Sequence, residues 1–178
     1  LGTITASGGV TAEFGGSDTF AGTIGNATVN VTAGNTFTTT AAIASGKTIA
    51  AAGNGNVAIT ALHSTLAANL SGLSSASGTV TAEFAGTNTF TGTIGNATVN
   101  VTAGNTFTTT AAIANGKTIA AAGNGNVAIT ALHSTLAANL SGLTSASGTV
   151  TAAFGGNGTF TGTIGTATVN VAAGNTFT

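Results

Sequence analysis

The sequence overlaps itself when Ser71 is laid on Leu1, and that repeat constrains the fold more than any other feature. Residues 1–70 and 71–140 differ at ten positions, and residues 141–178 begin a third copy that reaches the equivalent of Thr38 and Thr108. Near-identical copies in tandem fold as an array in which each copy buries its apolar side against the next. Because the third copy stops part-way, the 178 residues are expected to be a window on a longer array.

A finer period lies inside each repeat. The segments 73–87, 88–104, 105–123 and 124–142 are similar in length, and each carries Thr followed by an aliphatic residue: Thr79-Val80, Thr98-Val99, Thr118-Ile119 and Thr135-Leu136. Around these pairs the apolar residues alternate. Val80, Ala82 and Phe84 fall on one side of a strand and Thr79, Thr81 and Glu83 on the other; Val99, Val101 and Ala103 repeat the arrangement. Phe90 and Ile94, then Phe107, Ala111 and Ile113, have the same parity in the first halves, and Gly, Asn and Ser clusters punctuate the strands. Leu132, Leu136, Leu140 and Leu143 also fit a helix over Ala131–Leu143, but Thr135-Leu136 and the closing Gly142 match the strand segments, so the stretch is read as strand.

A flat sheet of such strands leaves two edges and one bare apolar face, whereas coiling the chain stacks each strand on its sequence equivalent and encloses the apolar side. The predicted fold is therefore all-β, a β-solenoid of tandem 70-residue units with about four coils per unit. About ten coils at the inter-strand spacing make a rod of roughly 50 Å. The expected core contains Val29, Val31, Ile49, Phe84, Val99, Val101, Ile119 and Phe154. An antiparallel sandwich is the alternative, although a repeat ending part-way leaves such a domain broken.

Composition narrows the function. Charged residues make up 3% of the chain, with Lys+Arg 2 against Asp+Glu 3, too few for an electrostatic nucleic-acid or anionic-membrane binder. Cys 0 removes disulfides and thiolate metal sites, while Trp 0 and Tyr 0 remove the usual stacking platforms. Mean hydropathy is +0.47, yet Thr, Gly or Asn interrupts every run well short of the ~18 apolar residues of a membrane-spanning helix.

The groups available for chemistry are Glu13, Asp18, Glu83, Lys47, Lys117, His63 and His133. In the coil alignment Glu83 faces outward between Asn69 and Thr102, with no basic partner. The third copy has Ala153 in place of Glu13 and Glu83, and Asp18 becomes Asn88 and then Gly158. These acids read as solvated side chains. His63 and His133 occupy identical ALHST contexts at coil corners, four coils or ~19 Å apart, with no carboxylate or second His nearby in sequence. Gly53-Asn54-Gly55-Asn56 and its copy at 123–126 read as turns, because Gly and Asn tolerate positive φ and a phosphate loop needs a following helix and Lys. No catalytic, cofactor-binding or metal residue is assigned, and no cofactor is expected. Asn26, Asn30 and Asn69 head glycosylation tripeptides that recur at 96, 100 and 139.

Alternating Thr, as in Thr106, Thr108 and Thr110, raises a binding module of the ice-binding or carbohydrate-binding kind. Stacking Thr89-Phe90-Thr91, Thr106-Phe107-Thr108, Asn126-Val127-Ala128 and Ser75-Ala76-Ser77 fills a Thr row in two coils of four. Thr is accordingly read as a strand former whose stacked hydroxyls satisfy one another.

The stretch NVAITALHSTLAANLSGL at 56–73 and 126–143, followed by TVTAEF and TFTGTIGNATVNV, resembles the β-strand repeats of very large secreted bacterial surface proteins of the adhesin type, often exported by type I systems. The resemblance implies an extracellular or cell-surface location and a place in an adhesin, a surface layer or a biofilm matrix fibre, with other surface proteins or glycans as partners. The Asp-rich calcium turns common in such proteins are missing here. Together with the repeat, this leads to the expectation of a non-enzymatic stalk, fibre or coat. Val169–Thr178 carry no charge, and the first coil, LGTITASGGVTAEF, has only Glu13 and the nearby Asp18, so coil ends are expected to associate end to end.

With no clustered carboxylates, divalent ions are expected to contribute little to stability: excess EDTA should leave the thermal midpoint unchanged. A fall of many degrees would expose a metal site.

Overall fold

The computed structural model describes residues 9–178. Residues 1–8 of the first coil, which the sequence reads as uncapped over 1–14, lie outside the described residues. The chain forms two compact units: Leu1–Glu83 with Gly92–Ala97, and Phe84–Thr91 with Thr98–Thr178.

In the first unit, β1 (Thr11–Phe14), β3 (Thr28–Val31), β5 (Ile49–Ala51) and β7 (Leu73–Ser75) form one sheet. A second sheet holds β2 (Asp18–Thr19), β4 (Thr36–Thr40), β6 (Asn56–Thr60) and β8 (Val80–Phe84). Each turn passes through the first sheet, then the second, then an irregular side. That side contains the one-turn helix α1 (Ala41–Ala44), a 3-10 turn at Leu62–Ser64, and a bridge between Asn69 and Thr93.

The second unit repeats the plan. One sheet runs β9 (Asn88–Thr89), β11 (Thr106–Thr110), β13 (Asn126–Leu132), β15 (Val150–Phe154) and β16 (Thr168–Val171). The other contains β10 (Thr98–Val101), β12 (Ile119–Ala121) and β14 (Leu143–Ser145), while α2 (Ala111–Ala114) lies on the irregular side. Every described strand pair is parallel. The fold is thus a β-solenoid, and the antiparallel sandwich is ruled out.

The turns are longer and less regular than the sequence segments, so the chain makes about eight of them in place of ten. Along the first sheet Thr11 pairs with Thr28, Val29 with Ile49 and Ile49 with Leu73, so each turn takes up more chain than the one before. Hydrogen-bond register constrains only the strands, and the corners absorb the extra residues. In consequence the sequence repeat does not contain a whole number of turns. Thr11–Phe14 lies in the first sheet of its unit, but its counterpart one repeat later, Val80–Phe84, has moved to the second. Thr98–Val101 and its counterpart Thr168–Val171 likewise occupy different sheets of the second unit. Each repeat advances the chain by full turns plus one side.

Strand parity decides what faces inward, and all eight expected core residues are buried: Val29, Val31, Ile49, Phe84, Val99, Val101, Ile119 and Phe154. The nine Phe form three equivalent triads. Phe37 meets Phe14 edge-on at 4.7 Å and Phe20 at 5.7 Å; Phe107 meets Phe84 at 4.8 Å and Phe90 at 5.7 Å; Phe177 meets Phe154 at 4.8 Å and Phe160 at 6.1 Å. Edge-on and offset rings add dispersion and quadrupole attraction to simple burial. The polar residue aimed inward in each of the first two repeats is satisfied by the preceding turn: Thr39 Oγ1 donates to the Phe20 carbonyl at 2.8 Å, and Thr109 Oγ1 to that of Phe90 at 2.8 Å.

Two local expectations change. Ala111 and Ile113 are in a one-turn helix instead of on a strand, as are Ala41 and Ile43. The Thr40 and Thr110 hydroxyls accept the Ile43 and Ile113 amides and so cap a run of good helix formers. The stretch Ala131–Leu143 is strand only at its ends. Ala131, at φ 54, breaks the extended backbone, and the residues between Leu132 and Leu143 are irregular, with turns at 134–135 and 141–142 and a bridge from Asn139 to Thr163.

Turns approach closely enough to select Gly at particular positions. A Cβ on Gly78 would collide with the Gly55 carbonyl of the turn before, and one on Gly148 with that of Gly125. Cutting Phe107 to Ala should remove about 3–5 kcal/mol of stability through the cavity left between Phe84 and Phe90. Gly78→Ala should cost about 1–3 kcal/mol by overpacking. Denaturant titration followed by far-UV circular dichroism checks both; an unchanged midpoint in either would contradict this packing.

Candidate functional site

Glu13 is exposed on the outer face of β1 and stands opposite Asn30. That corrects the coil alignment by two residues, since the equivalent of Thr102 is Thr32, whose amide instead reaches the Phe14 carbonyl at 3.0 Å. Asn69 is on the irregular side bridging Thr93, away from the Glu83 row where the alignment placed it. Asp18 and Glu83 are exposed. Lys47 donates through Nζ to the Gly25 carbonyl at 2.6 Å, tying one turn to the one before. Among the described residues no three His, Cys, Asp or Glu side chains converge.

The sequence placed both histidines at corners four coils apart, but one repeat spans three turns and one side, and His63 lies half-buried in the 3-10 turn Leu62–Ser64 of the irregular side. His133 follows β13, with Nδ1 2.7 Å from the Gly155 carbonyl, the geometry of a ring N–H donating across a turn. The six tripeptide asparagines, Asn26, Asn30, Asn69, Asn96, Asn100 and Asn139, are all exposed.

The distinctive surface is the outer face of each sheet that carries a TFTTT strand, and here the register changes what the sequence suggested. Thr106 does pair with Asn126, but the next turn contributes Thr149-Val150-Thr151, and Ser75-Ala76-Ser77 does not belong to this stack in either repeat. In the first unit the row reads Thr19, Thr38, Ala58, Thr81. In the second it reads Thr89, Thr108, Ala128, Thr151, Thr168. Thr therefore fills four of five positions where two of four were expected. The sequence contains the signal, but only corner lengths reveal which Thr residues align.

Hydrogen bonding separates two neighbouring rows. In one, Asn56 Oδ1 accepts from the Thr79 amide at 2.8 Å and hydroxyl at 3.0 Å while its Nδ2 donates to Thr36 Oγ1 at 3.4 Å, so three turns are stitched together. Asn126 does the same between Thr149 and Thr106. In the other row, Thr38 and Thr81, and Thr108, Thr151 and Thr168, make no side-chain hydrogen bond among the described residues. The reading that stacked hydroxyls satisfy one another holds for the Asn-containing row and fails for the Thr row, whose hydroxyls are left to solvent.

No protein-family model, curated protein or solved structure matches this chain.

Asn56→Ala removes the stitch across three turns and should lower stability by about 1 kcal/mol. Glu13→Ala, on an exposed outer position, should stay within about 0.5 kcal/mol of the parent. Parallel denaturant titrations compare the two; equal effects would show that the Asn56 bonds contribute nothing.

Proposed function

We propose that this chain is structural: a stretch of extracellular or cell-surface repeat that serves as a stalk, fibre or coat and performs no catalysis. The observation that carries this reading is the way one turn covers the next. Within the second unit, Val99 and Val101 are buried beneath Ile119 and Ala121. In the first unit the same covering buries Val29 and Val31 against Ile49 and Ala51, and Ile49 in turn against Leu73.

A parallel ladder of this kind is extended by another strand of the same pattern. The partner in this reading is more of the same repeat, in the same chain or in the next subunit. Net charge of −1 leaves little repulsion to oppose that stacking. The tandem copies support the same conclusion, as does the resemblance to secreted adhesin-type repeats, which adds other surface proteins or glycans as flanking partners.

Purified chain at high concentration should form filaments under the electron microscope, with a meridional fibre reflection at ~4.8 Å from strands perpendicular to the axis. Persistent discrete monomers would argue against this reading.

A further inference from the structure

We propose that the outer face of the β9–β11–β13–β15–β16 sheet binds the surface of ice. This inference is independent of the filament reading, since it concerns the side of the solenoid and not its end.

The face presents hydroxyls in two dimensions. Across the turns, Thr89, Thr108, Thr151 and Thr168 share a row with Ala128, neighbours being ~4.8 Å apart in a parallel sheet. Along the strand, Thr106 and Thr110 flank Thr108 at two-residue steps of ~6.6 Å, their oxygens accepting from Asn126 Nδ2 and the Ile113 amide while their methyl groups extend the face. Thr is restricted at χ1, so hydroxyl and methyl point in repeating directions instead of sampling many. The Thr108, Thr151 and Thr168 hydroxyls have no partner among the described residues, which leaves their hydrogen-bonding capacity for the medium.

Charge selects the ligand. The outward residues of these strands are Thr, Asn and Ala, and Ala153 stands where the first two repeats carry Glu13 and Glu83. A neutral crystal of water is matched by a face that carries no ion with its own tightly held hydration shell. A sugar chain is a poorer match, because the Phe rings it would stack on are turned inward. A hydroxyl exchanging one water for another gains little by itself. Attachment therefore requires many contacts made together on a rigid array, with no ordering cost at binding.

The test is slow directional freezing of the full chain at low concentration, read as enrichment in the ice over the liquid. Enrichment is expected for the parent chain and for Asn100→Lys, an exposed position on the other sheet of the same unit. Thr108→Lys with Thr151→Lys should return the chain to the excluded level without changing its circular dichroism spectrum. Should that pair fail to fold, Thr108→Ala with Thr151→Ala, which copies the native Ala128, should still lower enrichment. Exclusion of the parent from ice, or undiminished enrichment of both double variants, overturns the proposal. Retention on crystalline cellulose together with exclusion from ice overturns it in favour of a polysaccharide ligand.

Discussion

The parallel hydrogen-bond ladder between successive turns is the constraint on which everything else depends. It holds neighbouring strands at one short spacing, so any side chain facing inward lies directly against the side chain one turn away. Phe107 under Val127, Val99 under Ile119 and Thr108 beside Ala128 all follow from it. The same closeness explains Gly78 and Gly148, where the carbonyl of the preceding turn occupies the space a Cβ would need. Packing in this protein is largely a relation between one turn and the next.

That relation also explains how so polar a sequence encloses a core. Among the described residues the buried side chains are Val, Ile, Leu, Phe and Ala, and the exceptions, Thr39 and Thr109, give their hydroxyls to a carbonyl of the turn before. Among the described residues no buried side-chain nitrogen or oxygen lacks a partner. The outer face is under no comparable demand. It alternates a row tied by Asn56 or Asn126 with a row of Thr hydroxyls left to solvent, and the two differ in what they can do. The stitched row contributes to holding turns together, whereas the open row presents a regular surface.

The mismatch between repeat and turn has its own consequence. Because each copy of the repeat adds one side to a whole number of turns, equivalent strands appear on different sheets, as Thr98–Val101 and Thr168–Val171 do. A surface feature encoded once per repeat is thereby distributed among the sides of the solenoid. Tandem duplication here preserves each local strand without preserving the side that it occupies.

How much of this was legible in the sequence follows from the range of the interactions involved. Strand parity is local, set by the two-residue alternation of an extended backbone, so Val99, Val101 and Phe154 could be placed in the core, and parallel stacking inferred, from the sequence alone. The outward placement of Glu13 and Glu83 was equally legible, because each alternates with inward residues of its strand. The register between turns was not. It depends on how many residues each corner absorbs: the Thr40 and Thr110 caps fold part of one corner into a helix, and Ala131 bends another. Only the tertiary structure brings Thr151 beside Ala128 and excludes Ser75 from that stack, because register is decided by closure of the whole turn and not by any residue within it.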